Sequence, residues 1–525
     1  MTIQQQMESL ALKPTKTKPP ASRLHNTIPQ DLLENTQLER CIAECLPANY
    51  QFEILKSLAF IRQHKAKRIG LQLPEGLLMF ATTLCTLFEN FSSTSDPSDA
   101  LASSSSSDVE TVILGDVTYG ACCVDDFTAQ ALGCDVLIHY GHSCLVPVTT
   151  TSLPVLYVFV EIQFDTTHLL RCITTHFGDD KDKQGLVLCS TIQFASMLPS
   201  IQRHLVDECG FTQVQILQSR PLSRGEILGC TSPTWPQPTA DSPQSMKVLY
   251  IGDGRFHLES MMLANPHLQD QFYQYDPYAK KLSREGYDYK QTFKYRHTAV
   301  SSVRRDLDLK KQEGGVMTVG VIWGTLGRQG NPRVVETVKQ AASSQKCNVR
   351  TMVVLLSEVT PQKLALFQPP PHVGKDLMSV HETDLKVVPV NVDAWVQTSC
   401  PRLSIDWGHG FNQPLLTPYE AVLAFGQVEP ERVAGWYRQA QAEGQVGSNG
   451  STECCSALTE TCCKMPNHQD YPMDFYAADS LGPWTPSHLP RQPADPSDTK
   501  KKLGMSWRDR LAARRAQQPP AAGSE

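Results

Sequence analysis

TVILGDVTYGACCVDD, residues 111–126, runs a β-branched apolar stretch into a Gly-Asp turn and then into two adjacent cysteines. The apolar part does not alternate with polar residues, which is the pattern of a strand buried on both faces of a parallel sheet. The same pattern recurs in KRIGLQLPEGL (67–77), CDVLIHYGH (134–142), PVLYVFVEI (154–162), GLVLCSTIQF (185–194), KVLYIGDGRFH (247–257), VMTVGVIWGTLG (316–327) and RTMVVLLSEV (350–359). Helical stretches separate these runs, so the fold class is α/β with parallel sheets flanked by helices. In such sheets ligands gather beyond the carboxyl ends of the strands, where Cys122 and Cys123 stand.

The chain has 525 residues, enough for roughly three domains at about 100–200 residues each. Hydrophobic residues make up 41% and charged residues 19%, a globular balance. A net charge of −6 offers no global basic field for nucleic acid, and no run reaches the length of a membrane span. The N-terminus lacks the apolar core of a signal peptide, so a cytoplasmic protein with no membrane contact is expected. In that reducing setting 17 cysteines read as free thiols or metal ligands.

Composition suggests the boundaries. Residues 1–40 read as a flexible N-terminal segment, 41–150 as a first α/β domain, 151–245 as a second and 246–428 as a third. The Pro-rich SPTWPQPTADSPQS (232–245) suggests the break before the third. Residues 92–108 are a Ser-rich insertion and 429–470 a flexible one, and the basic stretch within 489–525 reads as a disordered tail.

Several cysteines and glycines invite chemistry. Cys454, Cys455, Cys462 and Cys463 form CC-x6-CC, which has neither the two-residue gap of zinc knuckles nor histidines at the usual offset, and reads as an incidental loop. Cys41 and Cys45 are spaced as packing residues on a helix. His139 and His142 lie near Cys144 without a third orienting group, so they read as satisfied interior histidines. GTLGRQGNP (324–332) fits neither the P-loop nor the Rossmann fingerprint; it reads as a tight turn or as a pocket wall. In GDGRFH (252–257), Asp253 suits a ribose and Arg255 a carboxylate, although Gly-Asp-Gly is also an ordinary turn. Cys122, Cys230 and Cys400 each follow a strand-like run in a different part of the chain. Three strand ends facing one centre could put three thiolates on a metal cluster, and Cys122 with Cys123 could equally be a redox pair.

Longer motifs carry a family resemblance. YGACCVDDFTAQALGCDVLIHYGHSCLVP (119–147), RGEILGCTSP (224–233), YIGDGRFHLES (250–260), GTLGRQGNP, LLSEVTPQKL (355–364), CPRLSIDWG (400–408), LLTPYEAVLAF (415–425) and YPMDFYAADSLGPWTPSH (471–488) resemble the subunit 1 family of eukaryotic, diphthamide-forming 2-(3-amino-3-carboxypropyl)histidine synthases. The resemblance implies three similar domains around a central 4Fe-4S cluster, each giving one cysteine: Cys122, Cys230 and Cys400, with Cys123 turned away. It implies transfer of the 3-amino-3-carboxypropyl group of S-adenosylmethionine to a histidine of translation elongation factor 2, by a radical route. GTLGRQG and GDGRFH then become candidates for the adenosylmethionine pocket, and 471–488 a C-terminal strip of the family. Implied partners are a related second subunit in a heterodimer, a small iron-carrying electron donor and the elongation factor. The competing readings are a non-catalytic second subunit of the same complex and a nucleotide-binding dithiol oxidoreductase.

Overall fold

A computed structural model describes residues 28–92, 109–116, 118–180, 185–235, 246–345, 348–368, 391–426, 471–478, 480 and 482–488. All the apolar runs become strands. In chain order these are β1 (Tyr50–Gln51), β2 (Arg68–Gln72), β3 (Glu110–Leu114), β4 (Val136–Tyr140), β5 (Val155–Val158), β6 (Glu161–Ile162), β7 (Gly185–Ser190), β8 (Val214–Ile216), β9 (Met246–Ile251), β10 (Phe272–Asp276), β11 (Lys281–Glu285), β12 (Val316–Gly324), β13 (Asn348–Leu356), β14 (Ala394–Gln397) and β15 (Leu415–Leu416).

They assemble into a small β1–β6 pair and three larger sheets, ordered β3-β2-β4-β5, β8-β7-β9-β10-β11 and β13-β12-β14-β15. Numbered by first appearance, all three sheets run second, first, third, fourth. Every pairing in the first and third sheets is parallel; in the second only β11 runs antiparallel, against β10, and the small β1–β6 pair is antiparallel. Residues of β4, β5 and β7 are buried throughout, because helices and loops cover both faces.

Three expected boundaries move. β5 pairs with β4, so the first sheet extends past residue 150. β9 pairs with β7 and β10 with β9, so 246–285 completes the second sheet, and the third begins at β12. A Pro-rich stretch marked a connection there; the strands on either side of it still share one ladder. The N-terminal segment is shorter than expected, since Gln30–Leu33 and Thr36–Cys45 are helices. Asn35 caps the second of these by accepting from the Leu38 N–H, and Leu38 is wholly buried in the first sheet's core, a contribution of about 1.5–3 kcal/mol. Cys41 packs on that core, whereas Cys45 is exposed and packs on nothing comparable.

Helix ends follow local chemistry. Asp288 caps the long helix Tyr289–Glu313, which stops at Gly314 in the left-handed conformation (φ 64°). Thr417 and Glu420 form a capping box on Pro418–Ala424, a helix buried along its whole length. Its Glu420 meets Arg296 in a fully enclosed ion pair, and Tyr471 donates to the same carboxylate at 2.9 Å. That contact seats the strip beginning at Tyr471 against the third sheet's core, together with Met473 and Trp484. Among the described residues no helix is long and apolar enough to cross a membrane. The 454–463 cysteines, the 93–108 and 372–388 insertions, the 429–470 segment and the 489–525 tail lie outside the described residues.

Candidate functional site

Three cysteines from three sheets meet at the carboxyl ends of the strands. Cys122 sits in the 3-10 turn Ala121–Cys123 after β3. Cys230 lies in the loop after β8, between Leu228 and Thr231, which bridge one another, and Cys400 is the residue before the helix Pro401–Trp407 after β14. Pro401 accounts for the last placement: a residue preceding proline is driven to extended backbone, and Cys400 has φ −73° and ψ 122°.

The loops are tied to one another across the sheets. From the third sheet, GTLGRQG reaches the first: the Arg328 N–H donates to the Cys122 carbonyl at 2.8 Å. The Arg328 guanidinium grips buried Asp126 with two bonds, of 2.8 and 2.6 Å, and stacks over Phe127. Gly327 adopts φ 56° and lies so close to Cys123 that a Cβ would fall 2.4 Å from its carbonyl carbon, so glycine is required twice over. Gln329 directs Nε2 at the sulfurs of Cys123 (3.3 Å) and Cys122 (3.7 Å). Behind them, Gln72 donates to the Cys123 carbonyl at 2.8 Å, accepts from the Asp125 N–H and contacts His139 Nδ1.

The second tie is Arg402, two residues after Cys400. Its buried guanidinium donates to the carbonyls of Phe256 (2.7 Å) and Gly229 (3.3 Å), and pairs with Glu259 (2.6 Å) and Asp406 (2.9 Å). Gly229 immediately precedes Cys230. The strip completes this corner: Thr231 bridges Asp474, the Phe475 N–H donates to the Cys230 carbonyl, and the Tyr476 N–H donates to Thr231 Oγ1 at 3.0 Å. The Tyr476 side chain enters the site, where its hydroxyl lies within electrostatic reach of Cys122, Cys230 and Cys400, and their charges push its pKa up beyond the effect of burial.

Electrostatics agree with this convergence. Burial, then the charges of Cys400 and Cys122, pushes the Cys230 thiol well up. Burial and then Cys122 raise Cys400 to about 12. Within the vicinal pair, hydrogen bonding to Cys123 raises Cys122, while the same bond lowers Cys123. One buried thiol and two half-buried ones that penalise ionisation at this corner suit a group that brings its own positive charge. Among the described residues no three His, Cys, Asp or Glu side chains close tightly enough for a single metal ion. Three thiols within one another's electrostatic reach could hold an iron–sulfur group at three corners. Beside Cys400 opens a cavity of about 420 Å³, lined among others by Tyr119, Phe256, Gln329, Glu358, Arg402 and Trp407.

Other sequence candidates fall elsewhere. Arg255 pairs with Glu285 and Glu259 and donates to the Gly286 carbonyl, so it fastens the β10–β11 hairpin and is not free for a carboxylate. Asp253 is exposed. The histidines are only half satisfied: His139 Nε2 and His142 Nδ1 are buried without a partner, and burial lowers both pKa values, that of His142 to about 4. Cys144 is exposed and turned to the Val146 carbonyl. GTLGRQG serves as both tight turn and pocket wall. No separate sequence signal points to Arg328, Gln329, Arg402 or Tyr476; each lies inside a motif quoted for other residues, and none has a chemical pattern in its near neighbours.

Known proteins extend this picture. A sequence model of the diphthamide synthesis protein family matches residues 73–371 and 377–434. The 2-(3-amino-3-carboxypropyl)histidine synthase subunit 1 of Nematostella vectensis is 42% identical over 92% of this chain and 82% of its own length. The subunit 1 proteins of Schizosaccharomyces pombe (41%, over 95% of this chain and 92% of theirs) and Homo sapiens (40%, over 94% and 91%) are similar to the same degree. In fold, the crystal structure of Dph2 from Pyrococcus horikoshii with 4Fe-4S cluster covers 72% of this chain and 91% of its own, at 21% identity and a TM-score of 0.50. With full-length relatives of that similarity and a family match over more than half its residues, the chain belongs to the diphthamide synthesis protein family.

Proposed function

We propose that this chain is the catalytic subunit of a transferase that moves the 3-amino-3-carboxypropyl group of S-adenosylmethionine to a histidine carbon of translation elongation factor 2. This is the first step of diphthamide formation. One observation carries the reading: Cys122, Cys230 and Cys400 come within electrostatic reach of one another, with a cavity beside Cys400, in a chain of this family. A 4Fe-4S cluster held by those three cysteines would supply, at one iron without a protein ligand, the electron that opens a radical route.

In the transfer the bond from the substrate's Cγ to its sulfonium sulfur breaks, and a bond from that carbon to an imidazole carbon forms. Methylthioadenosine leaves. The ring carbon loses its proton and the electron lent at the start is recovered, so the exchange is redox-neutral. The chain's own residues bind and orient. The cavity wall carries Arg402 paired with Asp406, and Glu358 paired with Lys363, beside apolar Leu326, Leu403 and Phe256, a mixture of both charges and apolar surface that suits a small zwitterionic ligand with an apolar body. Tyr119 and Trp407 are 64% and 68% exposed at the cavity, apolar surface that a docked protein substrate would cover. A related second subunit and a small iron-carrying electron donor complete the cytoplasmic system.

The test is anaerobic purification of the chain with its second subunit, followed by iron analysis, an absorption spectrum and transfer of label from carboxypropyl-labelled S-adenosylmethionine. A brown, iron-loaded complex that labels elongation factor 2 is expected. A colourless protein after anaerobic reconstitution overturns the cluster. An iron-loaded complex that leaves the factor unlabelled under reducing conditions overturns the substrate.

A further inference from the structure

Two polar side chains from distant parts of the chain arrive beside the Cys122–Cys123 pair. Gln329, 5% exposed, points its amide at Cys123 Sγ (3.3 Å) and Cys122 Sγ (3.7 Å), and the Tyr476 hydroxyl comes within reach of Cys122 from the C-terminal strip. Neither donor is free to wander. The Gln329 loop is fixed by Gly327 against Cys123, by the Arg328 N–H on the Cys122 carbonyl and by the Gly330 N–H on the Gly324 carbonyl at 3.0 Å. Tyr476 is fixed through Thr231 Oγ1 and by Phe475 on the Cys230 carbonyl. Among the described residues the Cys230 sulfur has only the hydroxyl of its own neighbour, Thr231, at 3.7 Å. For Cys122 the fold therefore brings donors from two other segments, and a buried amide that could have bonded a carbonyl is aimed at sulfur.

We propose that Gln329 and Tyr476 are the hydrogen-bond donors that set the reduction potential of the iron–sulfur group held by Cys122, Cys230 and Cys400. This rests on the cluster reading above. Reduction adds negative charge that spreads onto the ligating sulfurs, and an N–H or O–H directed at a sulfur stabilises that charge. In a buried site with little water the effect is not screened away. Losing a donor therefore makes the group harder to reduce, whereas a purely packing role leaves its potential unmoved.

The experiment uses the two-subunit complex, reconstituted anaerobically, with Gln329→Met, Tyr476→Phe and the double variant. Iron per chain and the midpoint potential are measured by a redox titration followed by electron paramagnetic resonance. Each single variant is expected to keep its iron and titrate at a lower potential. The double variant is expected to be at least tenfold harder to reduce, which reads as about 59 mV for a one-electron couple. Unchanged potentials in iron-loaded variants overturn the proposal. If Gln329→Met sheds its iron, Tyr476→Phe decides by the same criterion, because removing one hydroxyl keeps the ring and its packing. An iron-free wild-type complex would instead refute the cluster itself, a distinct outcome.

Discussion

Cys122 and Cys230 leave their sheets at the same topological place and are held there by different means. Each lies between the second and third strands, in chain order, of a sheet with the same strand arrangement. At the first corner the ties are side chains and charge: Arg328 on Asp126, Gln72 behind Cys123, and a glycine pressed on the turn. At the second they are mostly main chain: Ser190 bridges Glu226, Leu228 bridges Thr231, and Thr231 bridges Asp474 of the strip. Cys400 departs from both, one strand later in its sheet, and depends on the proline after it. The repeated sheet thus delivers loops to a common edge, but it does not place the ligands; ties particular to each corner do that. The first corner should answer to pH and charge, the second to loss of the strip or of Arg402.

The largest effect belongs to the thiols. Ser at Cys122, Cys230 or Cys400 is expected to abolish stable iron binding, measured as iron per chain after anaerobic reconstitution, while Cys123→Ser keeps most of it. Iron lost in Cys123→Ser and kept in Cys122→Ser would move the first corner by one residue. Next comes the second corner's cross-tie. Arg402→Leu leaves Glu259 and Asp406 without their shared cation in a largely buried place, and frees the Gly229 carbonyl before Cys230. The expected cost is about 3–5 kcal/mol in denaturant unfolding. A cost under about 1 kcal/mol, the level of an exposed ion pair, would show that the main-chain bridges hold this corner alone.

The α/β class was legible because buried parallel strands must be apolar on both faces, and the uninterrupted runs at β4, β5 and β7 reflect that burial. The boundaries were not, because a Pro-rich stretch reports on a connection and says nothing of which ladder the next strand joins. β9 lies between β7 and β10 whatever precedes it. Strand-end position drew attention to Cys122, Cys230 and Cys400, and the long motifs singled them out from the remaining cysteines. Arg328, Gln329, Arg402 and Tyr476 stayed hidden for a physical reason. Each acts on a residue more than a hundred positions away, from Gln329 on Cys122 to Tyr476 on Thr231, and no local period records such a pairing.

The smallest effect tests whether the first corner is electrostatic. Burial works to raise the Asp126 pKa, but hydrogen bonds from Arg328 and Ser152 outweigh it and hold the carboxyl below its ordinary value. A pKa depressed in the folded state stabilises it fully above the unfolded value, about 3.9, and the gain is lost as pH falls through the folded value. Comparing wild type with Asp126→Asn cancels the titration of every other carboxylate to first order. Their difference in unfolding free energy is expected to hold at about 1.5–3 kcal/mol from neutral pH down to the unfolded value, the worth of hydrogen bonds to a charged group. It should shrink below that, as Asp126 takes up a proton and the Arg328 grip loses its charge. A difference that stays constant into acid would mean that Asp126 holds the turn through its bonds to Ser152 and its packing alone. The charge on Arg328 would then be incidental to the placement of Cys122.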